Sequence, residues 1–478
     1  MLFNSYVFML AFLPLTLLCY FLLGRLPEKI QLNKVFLVLA SFLFYGYNNP
    51  SYVPIIAGSI LINYALSQLM LTQQKKALRL PLMLLGLFLN LGVLFYFKYH
   101  DFFFENLNGA FGLHLTLNHL ALPLGISFFT FQQLSYVIDS YKRTVPRYNI
   151  LDYALFVTFF PQLIAGPIVL HSEIVPQFAD AQNRHFNFDN FAPGLYAFAR
   201  GLMKKVVIAD TFAVAVEAGF ASAQTLNTAE AWFVAIGYTL QLYFDFSGYS
   251  DMAIGLGKIL GFTFMENFRL PYTAKSITEF WRRWHISLSS FFRDYVYIPL
   301  GGNRKHVYLN LFVVWALTGL WHGASWNFVL WGLYFFVLLC IERLLRNGLS
   351  RIPKPVRHLV TLVLILFSWN IFYHTDLTRL LESFRILFGL SGSGFTNETT
   401  NLLLRNNLPL LLVCAVGCTA IPQFTGNVIG LLCAEKRDDG VGHKVYAALT
   451  FVFDLALLAL ATISLAGSSY NAFLYFRF

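Results

Sequence analysis

Charge is the scarcest commodity in this chain. Asp, Glu, Lys and Arg make up 12% of its 478 residues, against 57% hydrophobic residues and 51 Phe, and the mean hydropathy is +0.59. That leaves too little polar surface to cover a soluble globule, so the chain reads as an all-α polytopic membrane protein. Cysteine chemistry is also missing. Cys19, Cys340, Cys414, Cys418 and Cys433 lie in or beside apolar stretches and form no CxxC, which favours packing as small hydrophobes over metal or disulfide roles. The first apolar run, 6–23, has no basic residues before it and no small-residue cleavage site after it; it is expected to remain as a span. Tandem repeats, low-complexity tracts and a soluble domain are absent, and 391–400 is the only linker-like piece, so one membrane domain over 1–478 is expected. Gly255-Leu256-Gly257-Lys258 lacks the spacing of a phosphate loop; its glycines are expected to let helices approach closely.

What charge there is falls in short connecting segments. The net charge of +10 therefore points to anionic lipid beside cytoplasmic loops, and not to nucleic acid. Arg25, Lys29 and Lys34 follow the first apolar run, Lys75, Lys76 and Arg79 the third, and Lys142, Arg143 and Arg147 the fifth. This pattern puts the N-terminus outside, with Asn48-Asn49-Pro50 and the stretch 101–119 on the outer face. Residues 151–170 are interrupted by Pro161, Gly166 and Pro167 and are expected to be re-entrant, because irregular backbone at membrane depth must be surrounded by protein. Residues 206–221 then cross after Lys204-Lys205, and 229–261 return to a basic cytoplasmic segment, 266–305. Further spans near 359–373, 402–421 and 445–465 leave the C-terminus outside. The expected total is about ten crossings plus two re-entrant elements.

Residues 307–341 contain no acid, Lys or Arg. A straight helix of that length would run about 50 Å, against roughly 30 Å of hydrocarbon. Both flanks are basic and Gly319 and Gly323 straddle the centre, so a hairpin or broken helix is expected with His322 near its apex. A neutral imidazole in a partly solvated apolar site can accept a proton from a hydroxyl; the alternative is a ring bonded to a carbonyl at a helix break. Trp281-Arg282-Arg283-Trp284-His285 reads as part of an amphipathic helix at the cytoplasmic interface. Arg282 and Arg283 there suit the phosphates of coenzyme A or of a phosphopantetheine arm, or an anchor on anionic lipid. Asp245 and Asp251 lie in an otherwise apolar run and are candidates to orient a histidine or line a polar tunnel, or else are satisfied structural acids.

Five co-ordered strings give a resemblance that runs from Asn4 to the last residue. Phe159–Pro167, Gln241–Gly257, Trp281–Ser287, Leu300-Gly301-Gly302-Asn303-Arg304 and Trp321-His322-Gly323 resemble the bacterial membrane-bound O-acyltransferases of the alginate O-acetyltransferase type. The resemblance implies helices around a central tunnel, in the bacterial inner membrane, through which an acetyl group from a cytoplasmic thioester passes to a cell-envelope or secreted polysaccharide. It implies His322 as the catalytic histidine and His285 as the second one, with Trp321, Asn303 and Arg304 at the substrate site. Ala324-Ser325-Trp326 departs from the Ala-Asn common in alginate enzymes, which leaves the polymer open among alginate-like exopolysaccharide, cellulose and peptidoglycan. The end of the chain, Phe473-Leu474-Tyr475-Phe476-Arg477-Phe478, is similar to a C-terminal aromatic motif whose tyrosine, here Tyr475, carries the acyl group toward an extracytoplasmic transferase of SGNH type. On composition alone the same residues read as an interfacial aromatic anchor. The donor implied is acetyl-CoA or a carrier-borne acetyl thioester, with no metal and no tightly bound cofactor. A transporter or flippase of an activated acyl donor or glycolipid is the rival reading.

Overall fold

The computed structural model describes residues 1–27, 30–164, 166–221, 226–422, 441–467 and 473–474, and every regular element among them is a helix. Five are long and apolar enough to cross a membrane: Pro50–Thr72, Lys76–Phe111, Trp326–Leu344, Lys354–Tyr373 and Glu398–Gly417. Shorter apolar helices include Phe8–Gly24, Leu32–Gly46 and Val307–His322. Lipid offers the backbone no hydrogen bonds, so each segment satisfies its own. The side chains then divide by face. On Phe8–Gly24, Phe8, Phe12, Thr16 and Tyr20 are buried at four-residue spacing, while Leu15, Leu18 and Leu22 are exposed, as a lipid-facing stripe requires.

Contacts divide the chain into two compact units. The first comprises residues 1–198 and 250–266. Its core includes a knot of phenylalanines, with the Phe8 ring 5.1 Å from Phe3, 5.6 Å from Phe12 and 6.2 Å from Phe160. The expected break in 151–170 is present: Ile150–Thr158 ends, the backbone extends at Phe159, and a single turn, Phe160–Leu163, precedes His171–Phe178. Phe156, Phe159, Phe160, Leu163 and Val169 are fully buried, so protein encloses this irregular backbone. The stretch 101–119 is half helical, since the helix continues to Phe111 and stops at Gly112, whose φ is +63°. Gly255 does what its helix requires, because a Cβ there would lie 2.6 Å from the Gly194 carbonyl oxygen.

The second unit comprises residues 199–249 and 267–478. Its centre is the expected hairpin: Val307–His322 ends at an extended Gly323, and Trp326–Leu344 returns. Gly319 and Gly332 let the arms touch, since a Cβ on Gly319 would strike the Phe328 carbonyl and one on Gly332 the Trp315 carbonyl.

Two expectations fail in this unit. The amphipathic helix over 279–289 is two short helices, Ile277–Trp281 and Ile286–Phe292, separated by a turn. Its tryptophans do not lie on lipid: Trp281 packs 4.7 Å from Trp315 and 4.9 Å from Phe335, and Trp284 lies 4.8 Å from Trp369. Lys204 and Lys205 are likewise not in a loop, because helix runs on from Phe188–Met203 through Lys204–Ala209 to Asp210–Ala221. Lys204–Ala209 is a π-turn, and its wider winding turns Lys205 inward.

Candidate active site

His322 ends the first arm of the hairpin and is buried. Among the described residues, aromatic rings that meet it edge-on include Trp321 and Trp331 at 4.9 Å each and Phe372 at 5.2 Å. Asn327, the second residue of the returning arm, ties this apex to its neighbour by donating to the Phe372 carbonyl at 2.7 Å.

His285 occupies the turn between the two short helices, with φ +45° and ψ +56°. A non-glycine residue in the left-handed region is held there by its surroundings. The holder is Asn267, whose backbone oxygen accepts from Ile286 N and whose Oδ1 accepts from Ser287 N at 3.1 Å and Ser287 Oγ at 2.9 Å. His285 caps the following helix, its Nδ1 accepting from Leu288 N at 3.3 Å. In the neutral ring that bond assigns the proton to Nε2. Nε2 has no hydrogen-bond partner among the described residues, and Phe246 stands edge-on at 4.8 Å. Complete burial pushes the imidazole down to about 3, so it is neutral at physiological pH. Trp321 separates the two histidines, 5.8 Å from His285 and 4.9 Å from His322.

A cavity of about 30 Å³ opens beside His322, with Asp245, Phe246, Trp284, Phe473 and Leu474 among its walls. That is room for about two water molecules. Asp245 is buried against Lys205, whose Nζ lies 2.6 Å from Asp245 Oδ1 and 2.8 Å from Asp210 Oδ1. Asp251, six residues on, points about 120° away around the same helix and lines neither cavity described here. Tyr475 lies outside the described residues.

A second cavity, of about 1390 Å³, lies among the ends of the hairpin and of Lys354–Tyr373. Lys275, Arg282, Arg343, Arg346 and Arg357 line it, with apolar walls such as Leu338 and Leu364. Its two acids are engaged: Glu342 accepts from Ile277 N at 2.7 Å, and Glu279 from Arg283 at 2.7 Å. The wall is therefore net positive. Asn303 also lines it, accepting from Tyr297 Oη and from Arg343. Arg283 is committed to Glu279 and Thr273, and Arg304 is exposed, lining neither cavity.

The structure thus gathers His322, Asp245, Phe473 and Leu474 at one cavity, and Arg282 and Asn303 at another, with Trp321 and His285 packed beside the first. Sequence reasoning missed Lys205, Asp210 and Asn267. Lys205 and Asp210 had a signal in their five-residue spacing, the repeat of a π-turn, whereas nothing around Asn267 marks it in sequence.

The family model of membrane-bound O-acyltransferases matches residues 42–384. The chain is 38% identical along its full length to a peptidoglycan O-acetyltransferase of Helicobacter pylori, covering 98% of that protein. It is 40% identical to a probable alginate O-acetylase of Pseudomonas putida, with both chains covered in full. A teichoic acid D-alanyltransferase of Bacillus subtilis is 30% identical over 47% of this chain and 60% of its own.

Proposed function

The chain belongs to the membrane-bound O-acyltransferase family, and from that premise we propose that it takes an acetyl group from a cytoplasmic thioester and passes it across the inner membrane for O-acetylation of a cell-envelope or secreted polysaccharide. It is a multi-pass membrane acyltransferase, and such chemistry needs an acyl donor. On this reading the donor is acetyl-CoA or a phosphopantetheine-carried acetyl group. Its phosphates sit against Arg282, Arg343, Arg346 and Arg357, which suit them by charge and donor geometry. Leu311 on that cavity's wall and His322 belong to one helix, eleven residues and about 16 Å apart along its axis. A thiol on a long flexible arm suits such a separation better than a compact donor.

His322 acts as general base. It accepts the proton of an acceptor hydroxyl, taken to be that of Tyr475, as the oxygen bonds to the thioester carbonyl carbon. The C–S bond then breaks and the leaving thiolate takes up the proton. An SGNH-type transferase outside the membrane receives the acetyl group from the Tyr475 ester, with both termini on the outer face. His285 supports the site through its contact with Trp321, and Asn303 keeps Arg343 at the donor cavity.

The observation that carries this reading is the placing of His322 at a hairpin apex, beside a cavity walled partly by Phe473 and Leu474. His322→Ala is expected to abolish polymer acetylation, measured by mass spectrometry of the native polymer, while the protein still inserts. Normal acetylation in that variant overturns the assignment. Transport of an acyl donor by the purified protein without thioester turnover would favour a transporter instead.

A further inference from the structure

Two carboxylates and one ammonium share an apolar interior at Asp210, Asp245 and Lys205, with no side chain more than 9% exposed. The formal charge of the triad is −1, one carboxylate more than the lysine can neutralise. A buried excess of that kind is tolerated only when further donors answer it. One such donor comes from 229 positions along the chain: Leu474 N donates to Asp245 Oδ2 at 2.9 Å. Phe473 is seated beside it, its ring 4.6 Å from Tyr249 and 6.0 Å from Phe246. Phe473 and Leu474 wall the His322 cavity together with Asp245.

We propose that Asp245, backed by Lys205 and Asp210, is a positioning residue that seats Phe473 and Leu474 in the wall of the His322 cavity, making that segment a component of the acyl-transfer site. This rests on the reading of His322 as the base and adds how its acceptor is held. A backbone N–H is a recognition element that any residue but proline supplies, so the latch fixes the path of the chain and leaves the side chains to the cavity. Lys205 serves by holding the carboxylate in one orientation. Removing Asp245 leaves a neutral Lys205–Asp210 pair, so the fold is expected to survive the change.

The test uses the full-length protein in detergent, as wild type, Asp245→Ala, Asp245→Asn, Leu474→Pro and a deletion of residues 473–478. Carboxypeptidase trimming followed by intact mass reports whether the end is seated. Transfer from acetyl-CoA to a soluble saccharide, in the presence of the extracytoplasmic partner, reports function. A hydrogen bond to a charged acceptor is worth enough to hold a segment roughly 10- to 100-fold more often than not. Trimming past residue 474 is therefore expected to speed up by about that factor in Asp245→Ala and in Leu474→Pro, which lacks the N–H. Transfer should fall to the level of the deletion in both. Asp245→Asn, which keeps an acceptor oxygen, should fall between them and wild type. Wild type trimmed as fast as the variants, or rapid trimming with undiminished transfer, overturns the proposal. Absence of thioester turnover in wild type, with the trimming pattern as expected, would instead remove the acyl-transfer reading and leave the latch standing.

Discussion

Gly248 offers a sharp test of how tightly the site is built. It lies in Thr228–Ile259, three residues beyond Asp245, and a Cβ on it would stand 2.7 Å from the Gly201 carbonyl oxygen and 3.1 Å from the Lys204 Cβ. Ordinary contact begins at 3.4 Å, so Gly248→Ala must separate the two helices by about 0.7 Å, the difference between those distances. Both neighbours are backbone or near-backbone atoms, with no flexible side chain to give way. The separation stretches the Lys205–Asp245 contact of 2.6 Å beyond 3 Å. Overpacking of this kind costs about 1–3 kcal/mol, whereas alanine in an open helical position gains roughly 0.5–1 kcal/mol over glycine. The two effects have opposite sign, and Gly92→Ala, with nothing within 4 Å of its added Cβ, isolates the second. Thermal unfolding in detergent should place Gly248→Ala below wild type and Gly92→Ala at or above it. Displacements approaching 1 Å cost catalysis about 10²-fold, so acyl transfer should fall roughly 10- to 100-fold in Gly248→Ala alone. Equal stability and equal transfer in the two variants would refute the packing argument.

Other consequences are open to direct measurement. Arg346→Ala and Arg357→Ala should each raise KM for acetyl-CoA roughly tenfold or more, as loss of a charge-assisted phosphate contact does, and raise it more than they lower kcat; an unchanged KM would separate that cavity from the donor. For His285 the folded ring resists protonation down to about 3, against an ordinary value of 6.5. Stability is then fully present above 6.5 and is lost as pH falls toward 3, because the unfolded chain binds the proton first. The thermal midpoint should drop between pH 7 and pH 5, and His285→Gln should flatten part of that slope; identical slopes would refute the assignment. Asn267→Ala removes the acceptor of both Ser287 donors and should destabilise by about 1–3 kcal/mol, with transfer lost as the His285 turn opens; wild-type stability and transfer would show that the turn is held by something else.

How far the sequence foretold this site depended on which constraint was at work. The hairpin at His322 was legible because a length argument needs no side-chain detail: 35 uncharged residues exceed one crossing, and two basic flanks fix the direction of return. The break at Phe159–Pro167 was legible for a similar reason, since proline and glycine leave few backbone choices. The turn at His285 was not, because a histidine at φ +45° carries no signature of its own, and alternating aromatic and basic residues fit an amphipathic helix until Trp281 and Trp284 find a protein core. Lys205 was misplaced because two adjacent lysines look like a loop, and a π-turn that directs one toward Ser247 and the other into an ion triad is not written in composition. The pairing of Asp245 with Leu474 depends on tertiary approach across 229 positions, which no local pattern records.

Within the first unit, side-chain amides join three helices. Asn63 Nδ2 donates to Gln133 Oε1 at 2.9 Å and to Asn90 Oδ1 at 3.2 Å, Asn90 Nδ2 returns a bond to Asn63 Oδ1 at 2.6 Å, and Gln133 Nε2 donates to Ser59 Oγ at 2.9 Å. Each of these side chains alone in hydrocarbon would be a burden on its own helix; together they are each other's solvent. The consequence concerns biosynthesis. Pro50–Thr72 and Lys76–Phe111 emerge from the ribosome well before Gln133, so until then Asn63 and Asn90 have only their reciprocal pair and their own helices to bond to. Gln133 is thus the last member of the amide cluster to be synthesised, and the three-helix arrangement is complete only when it arrives.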